Sequence, residues 1–247
     1  MPIKTTHLLL GYAVVAGAAA VVVVPAIAQD SAQISIRSSA TATPSKAGTP
    51  AHPRGLSIRA EAELLFPEDI DPPVVTAIEI RTAPGIDWHG EHFVKCTKAT
   101  LDHGGPRRCP KESIMGTAVA TGHADTVAAR LKVVFVNGGA NTTFAYATLN
   151  RPARIRDTLV VHSTRFSSGP WGHMESVAVP HDLQIVAGIP LALNRIKLNI
   201  GGKRYAKDYI SSTACPSGGW KYQVTAHTTS GDQTAANVGT GRISCTK

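Results

Sequence analysis

The sequence predicts an all-β fold: an antiparallel β-sandwich, immunoglobulin-like or jelly-roll-like, carrying two disulfides. Three observations lead there. Apolar and polar residues alternate with a period of two in several short runs, and Gly, Pro, Asn and Asp turn signals separate those runs. No stretch of ten or more residues carries a helical stripe. A period of two gives a strand one buried and one wet face, and short strands between such turns suit a sandwich or an open barrel.

The elements follow in chain order. Lys4 starts a segment whose positions 8–24 carry no charge, and Ala26-Ile27-Ala28 follows as a small-x-small cleavage pattern. Charge, apolar run and cleavage pattern in that order read as a secretory signal peptide over 1–28, with an uncleaved membrane anchor as the alternative. Residues 29–55 are rich in Ser, Thr, Ala, Pro and Gly and hold no aromatic residue. Such a segment buries too little apolar surface to offset its ordering entropy, so a disordered linker is expected, with weak support for a strand at 34–36. The remainder, 56–247, is expected to be the sandwich domain.

Within it, 56–64 alternates without a fault, and 74–81 continues after Pro72-Pro73. The run 128–136 is closed by Asn137-Gly138-Gly139, which reads as a hairpin turn leading to a strand at 142–149. Further strands are expected at 158–163, 176–179, 195–200 and 220–227. Ser230-Gly231-Asp232 then turns the chain into a return strand that ends near Cys245. The Ala-rich stretch 118–130 is not a helix, because Gly122 interrupts it and Thr and Val outnumber helix formers.

Four cysteines stand at 96, 109, 215 and 245, all beyond the signal segment. An even number in an oxidising compartment reads as two disulfides, of which three pairings are possible. Cys96–Cys109 and Cys215–Cys245 are favoured because each pair lies within one local unit. Loop closure alone would make these worth about 3 and about 3.7 kcal/mol. No Cys-x-x-Cys is present, so zinc is not expected at these thiols. The chain carries a net charge of +8, and loss of 1–28 removes Lys4 and no acid. The excess is spread over the chain rather than blocked, which implies solubility and nonspecific attraction to anionic envelope polymers, not specific nucleic-acid recognition. Membrane contact is expected only through the N-terminal segment, if it is retained.

A set of motifs spans most of 56–247. Cys96 is followed by Cys109-Pro110-Lys111-Glu112-Ser113-Ile114-Met115-Gly116-Thr117; then come Phe135-Val136-Asn137-Gly138, Cys215-Pro216-Ser217-Gly218-Gly219-Trp220 and a closing Cys245. The pattern resembles a group of exported, tethered actinobacterial β-sandwich proteins with no assigned activity. The resemblance implies a two-bridge sandwich with a packed Trp220 and transfers no active site.

Candidate chemistry is sparse. Asp87-Trp88-His89-Gly90-Glu91-His92 is the densest titratable set, and Asp87, His89, Glu91 and His92 are candidate zinc or copper ligands, with His103 a further neighbour. In an extended segment His89 and His92 would face opposite sides, so a solvated loop is the competing reading. Ser167, His173 and Glu175 share one stretch, yet adjacency does not make a triad, and no Gly-x-Ser-x-Gly is present. No catalytic residue is therefore assigned. Glu61, Glu63, Asp69, Asp71 and Glu79 are carboxylates whose separations would decide any glycoside chemistry; Glu61 and Glu63, two apart on a strand, share its wet face. Trp88, Trp171 and Tyr209 stand in expected loops, more as packing residues than as sugar platforms. No cofactor is expected. The sequence thus points to a secreted or cell-surface structural or interaction module of the bacterial envelope, non-catalytic, with a secreted hydrolase or metal-dependent enzyme at 87–92 as the alternative.

Overall fold

The computed structural model describes residues 34–67, 70–205 and 207–247. The expected signal segment 1–28, positions 29–33 of the expected linker, and Asp69 lie outside them. The strands are β1 Ser35–Thr43, β2 Arg54–Gly55, β3 Ser57–Leu65, β4 Val74–Thr82, β5 Ile86–Trp88, β6 Ile114–Ala124, β7 Val127–Gly139 and β8 Thr142–Leu149. They continue with β9 Ile155–Arg165, β10 His173–Ala178, β11 Ile185–Val186, β12 Ile189–Gly201, β13 Ile210–Ser212, β14 Trp220–Ser230 and β15 Gln233–Ile243. The single α-helix among the described residues is α1, Lys98–Gly104.

Eleven strands form one hydrogen-bonded path in the order β1-β3-β12-β6-β7-β8-β9-β10-β4-β14-β15, every neighbour antiparallel. The path curls until β1 and β15 meet. Directions alternate along an odd number of strands, so the two edge strands run parallel. They touch without a regular ladder: a Cβ added to Gly239 of β15 would stand 2.7 Å from Ile36 of β1. Past the strand ends, a parallel bridge pairs Lys46 with Thr246, and Ala47 N–H donates to the Thr246 carbonyl at 2.8 Å. The result is a nearly closed, barrel-like sheet. This corrects the expected sandwich. Period-two alternation states that one face is buried, and a sheet wrapped around itself satisfies it as well as two stacked sheets do.

The expected linker is corrected as well. Ser35–Thr43 forms a nine-residue strand paired along its length with β3. Its inward positions Ile36, Ser38, Ala40 and Ala42 are small enough to fit the crowded seam, and β3 supplies the backbone partners that the composition could not reveal. Strand β6 is a further element beyond the expected set.

Both disulfides have the favoured pairing, Cys96–Cys109 and Cys215–Cys245. The second staples the open end of the β14–β15 hairpin, where Trp220 is fully buried. The first clips α1 to the outside of the barrel. Thr97 caps the helix by accepting from Thr100 N–H at 3.1 Å, and Leu101 packs with Cys96, Cys109, Val136 and Tyr146. Two disulfides formed in the folded chain indicate an oxidising environment.

The barrel ends are closed differently. A small sheet in the order β2-β13-β5 lies across one end and brings Ile86, Tyr209 and Ile210 against Trp220 and Tyr222. Leu183, Val186 and Leu191 close the other. On β3 and β12 the outward positions carry charge: Glu61 pairs with Arg195 and Lys197 at 3.1 and 3.2 Å, and Glu63 with Arg195 at 3.1 Å.

Asn137 fastens the capped end. Asn137-Gly138-Gly139 is not the hairpin turn; β7 runs through it, and the turn falls at Ala140-Asn141. The fully buried Asn137 side chain instead donates to the carbonyls of Gly90, Phe93 and Val94 at 2.8, 3.1 and 3.1 Å and accepts from Gly139 N–H at 3.1 Å. Asn137→Ala leaves the buried Gly90 carbonyl and Gly139 N–H without their partner, each costing about 1–3 kcal/mol, and frees two part-buried carbonyls. The expected outcome is a urea midpoint shift equivalent to about 2–4 kcal/mol with an unchanged m-value, measured by circular dichroism.

Candidate functional site

Strand count and side-chain size together leave the barrel hollow. Eight strands enclose about the space that their own side chains fill, and more strands enclose a wider interior. Here several inward positions are alanines: Ala120 on β6, Ala145 and Ala147 on β8, Ala62 on β3 and Ala226 on β14. Between them and larger residues such as Leu131, Phe135, Leu159 and Ile196 lies a cavity of about 220 Å³ with an almost wholly apolar lining. An engineered apolar cavity of about 150 Å³ stays dry and binds benzene, so a void of this size and lining is a ligand-sized one.

One ionisable side chain breaks that lining from within. β10 alternates His173, Glu175 and Val177 inward, and Glu175 and Val177 line the cavity. Ser163, opposite Glu175 on β9, holds the carboxyl by a hydroxyl within 2.6 Å of both oxygens. Burial pushes the Glu175 carboxyl up to about 7, against a smaller opposing pull from the Ser163 hydrogen bond. Thr143, also in the lining, shares a 2.8 Å hydrogen bond with the Tyr209 hydroxyl, and burial pushes that phenol up to about 12. Arg195 reaches the lining, but Glu61 and Glu63 hold its guanidinium on the outer face.

His173 sits two positions nearer the capped end, 5% exposed, with neither ring nitrogen hydrogen-bonded. Burial, reinforced by the Arg165 charge, pushes its imidazole below the usual histidine range. Asp87 is 3.9 Å from His173 Nε2 and 3.3 Å from Arg165 Nη2. Ser167 and Ser168 lie outside this group. Ser163 contacts the carboxyl directly, with no imidazole between them, so the serine, histidine and glutamate are not arranged as a nucleophile–base–orienter relay.

The residues 87–92 divide into two sets. A 3-10 turn at Gly90–His92 breaks the extended geometry that would have separated the histidines. The His89 and His92 rings stack at 5.7 Å, and ligand atoms of His89, Glu91 and His92 all fall within 4.8 Å of one another. His89 Nε2 is 2.8 Å from the Ser211 hydroxyl. Asp87 turns instead to Arg165. His103 is bound to the Ala99 carbonyl at 2.7 Å on α1 and takes no part in that set. Trp88 lines the cavity and meets the buried Tyr209 edge-on at 6.0 Å, so both are packing residues. Glu61, Glu63 and Glu79 are engaged by cations on the outer face.

Ser163, the cavity and the inward placement of Glu175 are the features that sequence reasoning missed. The available signal was one acid at an inward-parity position between His173 and Val177.

The sign of the Glu175 effect on stability follows from its raised titration. The unfolded carboxyl ionises near 4.5 while the folded one stays protonated to about 7. Its contribution is therefore fully present below pH 4.5 and lost as pH rises through 7. Glu175→Gln removes the loss. The melting temperature of the variant is expected to match wild type near pH 4.5 and to exceed it by several degrees at pH 8, measured by calorimetry.

No family model, curated protein or solved structure compared with the chain matches it, and any reading of its function rests on the lumen and its polar end.

Proposed function

We propose that the protein works outside the cytosol as a non-catalytic interaction module of the bacterial envelope, holding an apolar small molecule inside the barrel. The observation that carries this reading is the hollow, apolar interior. A protein whose only task were to be rigid would gain about 25 cal/mol per Å² by filling that space with side chains, and voids weaken a core. Two disulfides suited to an oxidising compartment support a place outside the cytosol. The net charge of +8 adds nonspecific attraction to anionic wall polymers, of the kind that modest salt removes.

A second reading has its own observation. His89, Glu91 and His92 offer two imidazoles and a carboxylate at one turn, a donor set that suits zinc. Such a site would make the capped end metal-dependent, with Ser211 orienting His89 through the other ring nitrogen.

Two experiments test these readings. 1-Methylnaphthalene titrated into the full chain is expected to bind and to alter tryptophan fluorescence through Trp88. Ala145→Phe, which fills the lumen, should weaken it at least tenfold, about 1.4 kcal/mol, while the outer-face control Lys132→Ala leaves it unchanged. Zinc titrated by calorimetry should bind with one-to-one stoichiometry if the second reading holds, and His89→Ala/His92→Ala should abolish it; an unchanged affinity in the double variant ends that reading.

A further inference from the structure

The interior holds a buried acid that no cation among the described residues offsets. The influences acting on the Glu175 carboxyl are desolvation and the Ser163 hydroxyl, with no lysine, arginine or histidine among them. Arg195, the lysine or arginine that reaches the lining, is committed to Glu61 and Glu63 at 3.1 Å each. Ser163 contributes one proton to two carboxyl oxygens, and a carboxylate offers about four acceptor sites, so acceptor capacity is left facing the cavity. The walls around it are apolar, and the aromatic rings of Trp88 and Phe135 line the same space. Aromatic faces attract organic cations as well as apolar groups.

From this we infer that the lumen is selective for an organic cation, an apolar body carrying a protonated amine that pairs with Glu175. This deepens the proposed lumen-binding function and rests on it. Ionising a carboxyl in an apolar cavity is unfavourable when it stands alone, and a ligand bringing the opposite charge removes that penalty for both partners. The hydrogen bond formed is charge-assisted, the stronger class. A neutral alcohol would donate a hydrogen bond to the carboxylate but bring no charge to offset it, and an ionised carboxylic acid would meet a like charge. The chemical class is therefore hydrophobic amines. Ser163 holds the carboxyl in one orientation and so sets where the ammonium group lies.

The test is a set of four probes of nearly equal size, titrated calorimetrically into the full chain at pH 8: 1-methylnaphthalene, 1-naphthalenemethanol, 1-naphthylmethylamine and 1-naphthoate. At that pH Glu175 is ionised and the amine protonated. Binding of the amine is expected to exceed that of the hydrocarbon by about 10–100-fold, as charge-assisted hydrogen bonds of about 1.5–3 kcal/mol imply, with naphthoate weakest. Glu175→Gln, which keeps shape and the Ser163 contact, should erase the amine preference and leave the hydrocarbon within about threefold. If the hydrocarbon binds and the amine binds no better, or if the alcohol binds best, the cation inference is overturned and the lumen reading stands. An amine preference that survives in Glu175→Gln also overturns it. If no probe binds, the lumen reading falls and this inference falls with it. The wild-type ranking alone decides the matter should the variant fail to fold.

Discussion

Closure of an odd-numbered ring is the constraint on which the rest of this structure depends. Strands that alternate in direction can all be antiparallel around a ring only when their number is even. With eleven in the path, β1 and β15 face each other in parallel, and the seam is made by side-chain packing at Gly239 and Ile36 with a short parallel bridge at Lys46 and Thr246. Curling that far brings the apolar faces of all eleven strands to one interior, and the number of strands makes that interior too wide for Ala120, Ala145 and Ala147 to fill. The hollow and the seam are two results of one topology.

The end beside Trp220 then has to be sealed without a second sheet of comparable size. The chain does this with segments drawn from distant positions: β2, β5 and β13 pair across the opening, and Asn137 gathers the carbonyls of the 90–94 loop. The Cys215–Cys245 bridge and buried Trp220 lock the adjoining hairpin. Because these closures meet at the ends of β9 and β10, polar groups concentrate there: Arg165, Asp87, His173, and one step further inside, Ser163 and Glu175. An apolar interior with polar groups grouped at one end distinguishes where a molecule's two ends would lie.

Much of this was legible in the sequence, and the misreadings have physical causes. The alternation of β3 and β4, the favoured pairing of the cysteines and the outward placement of Glu61 and Glu63 all followed from local pattern. Strand β6 escaped because its inward residues are Ala and Gly, whose hydropathy contrasts little with the outward Thr residues. β1 escaped for the same reason, since Ser38, Ala40 and Ala42 resemble a linker until β3 supplies partners. The Asn137-Gly138-Gly139 turn was misplaced because its buried bonds reach loop residues more than forty positions away. Sandwich and barrel share one local alternation, so nothing within a strand separates them. The lumen and the role of Glu175 depend on how many strands close the ring, a global property that no window of residues contains.

Parity also has a consequence for the N-terminal strand. β3 runs opposite to β15, whereas β1 runs alongside it. A chain shortened to begin after Thr43 would present ten staves, an even set, whose new margins point in opposite directions and can zip by an ordinary antiparallel ladder. The first strand thus sets the parity of the wall, and the line beside Gly239 is where two neighbouring staves meet by packing rather than by a regular backbone ladder.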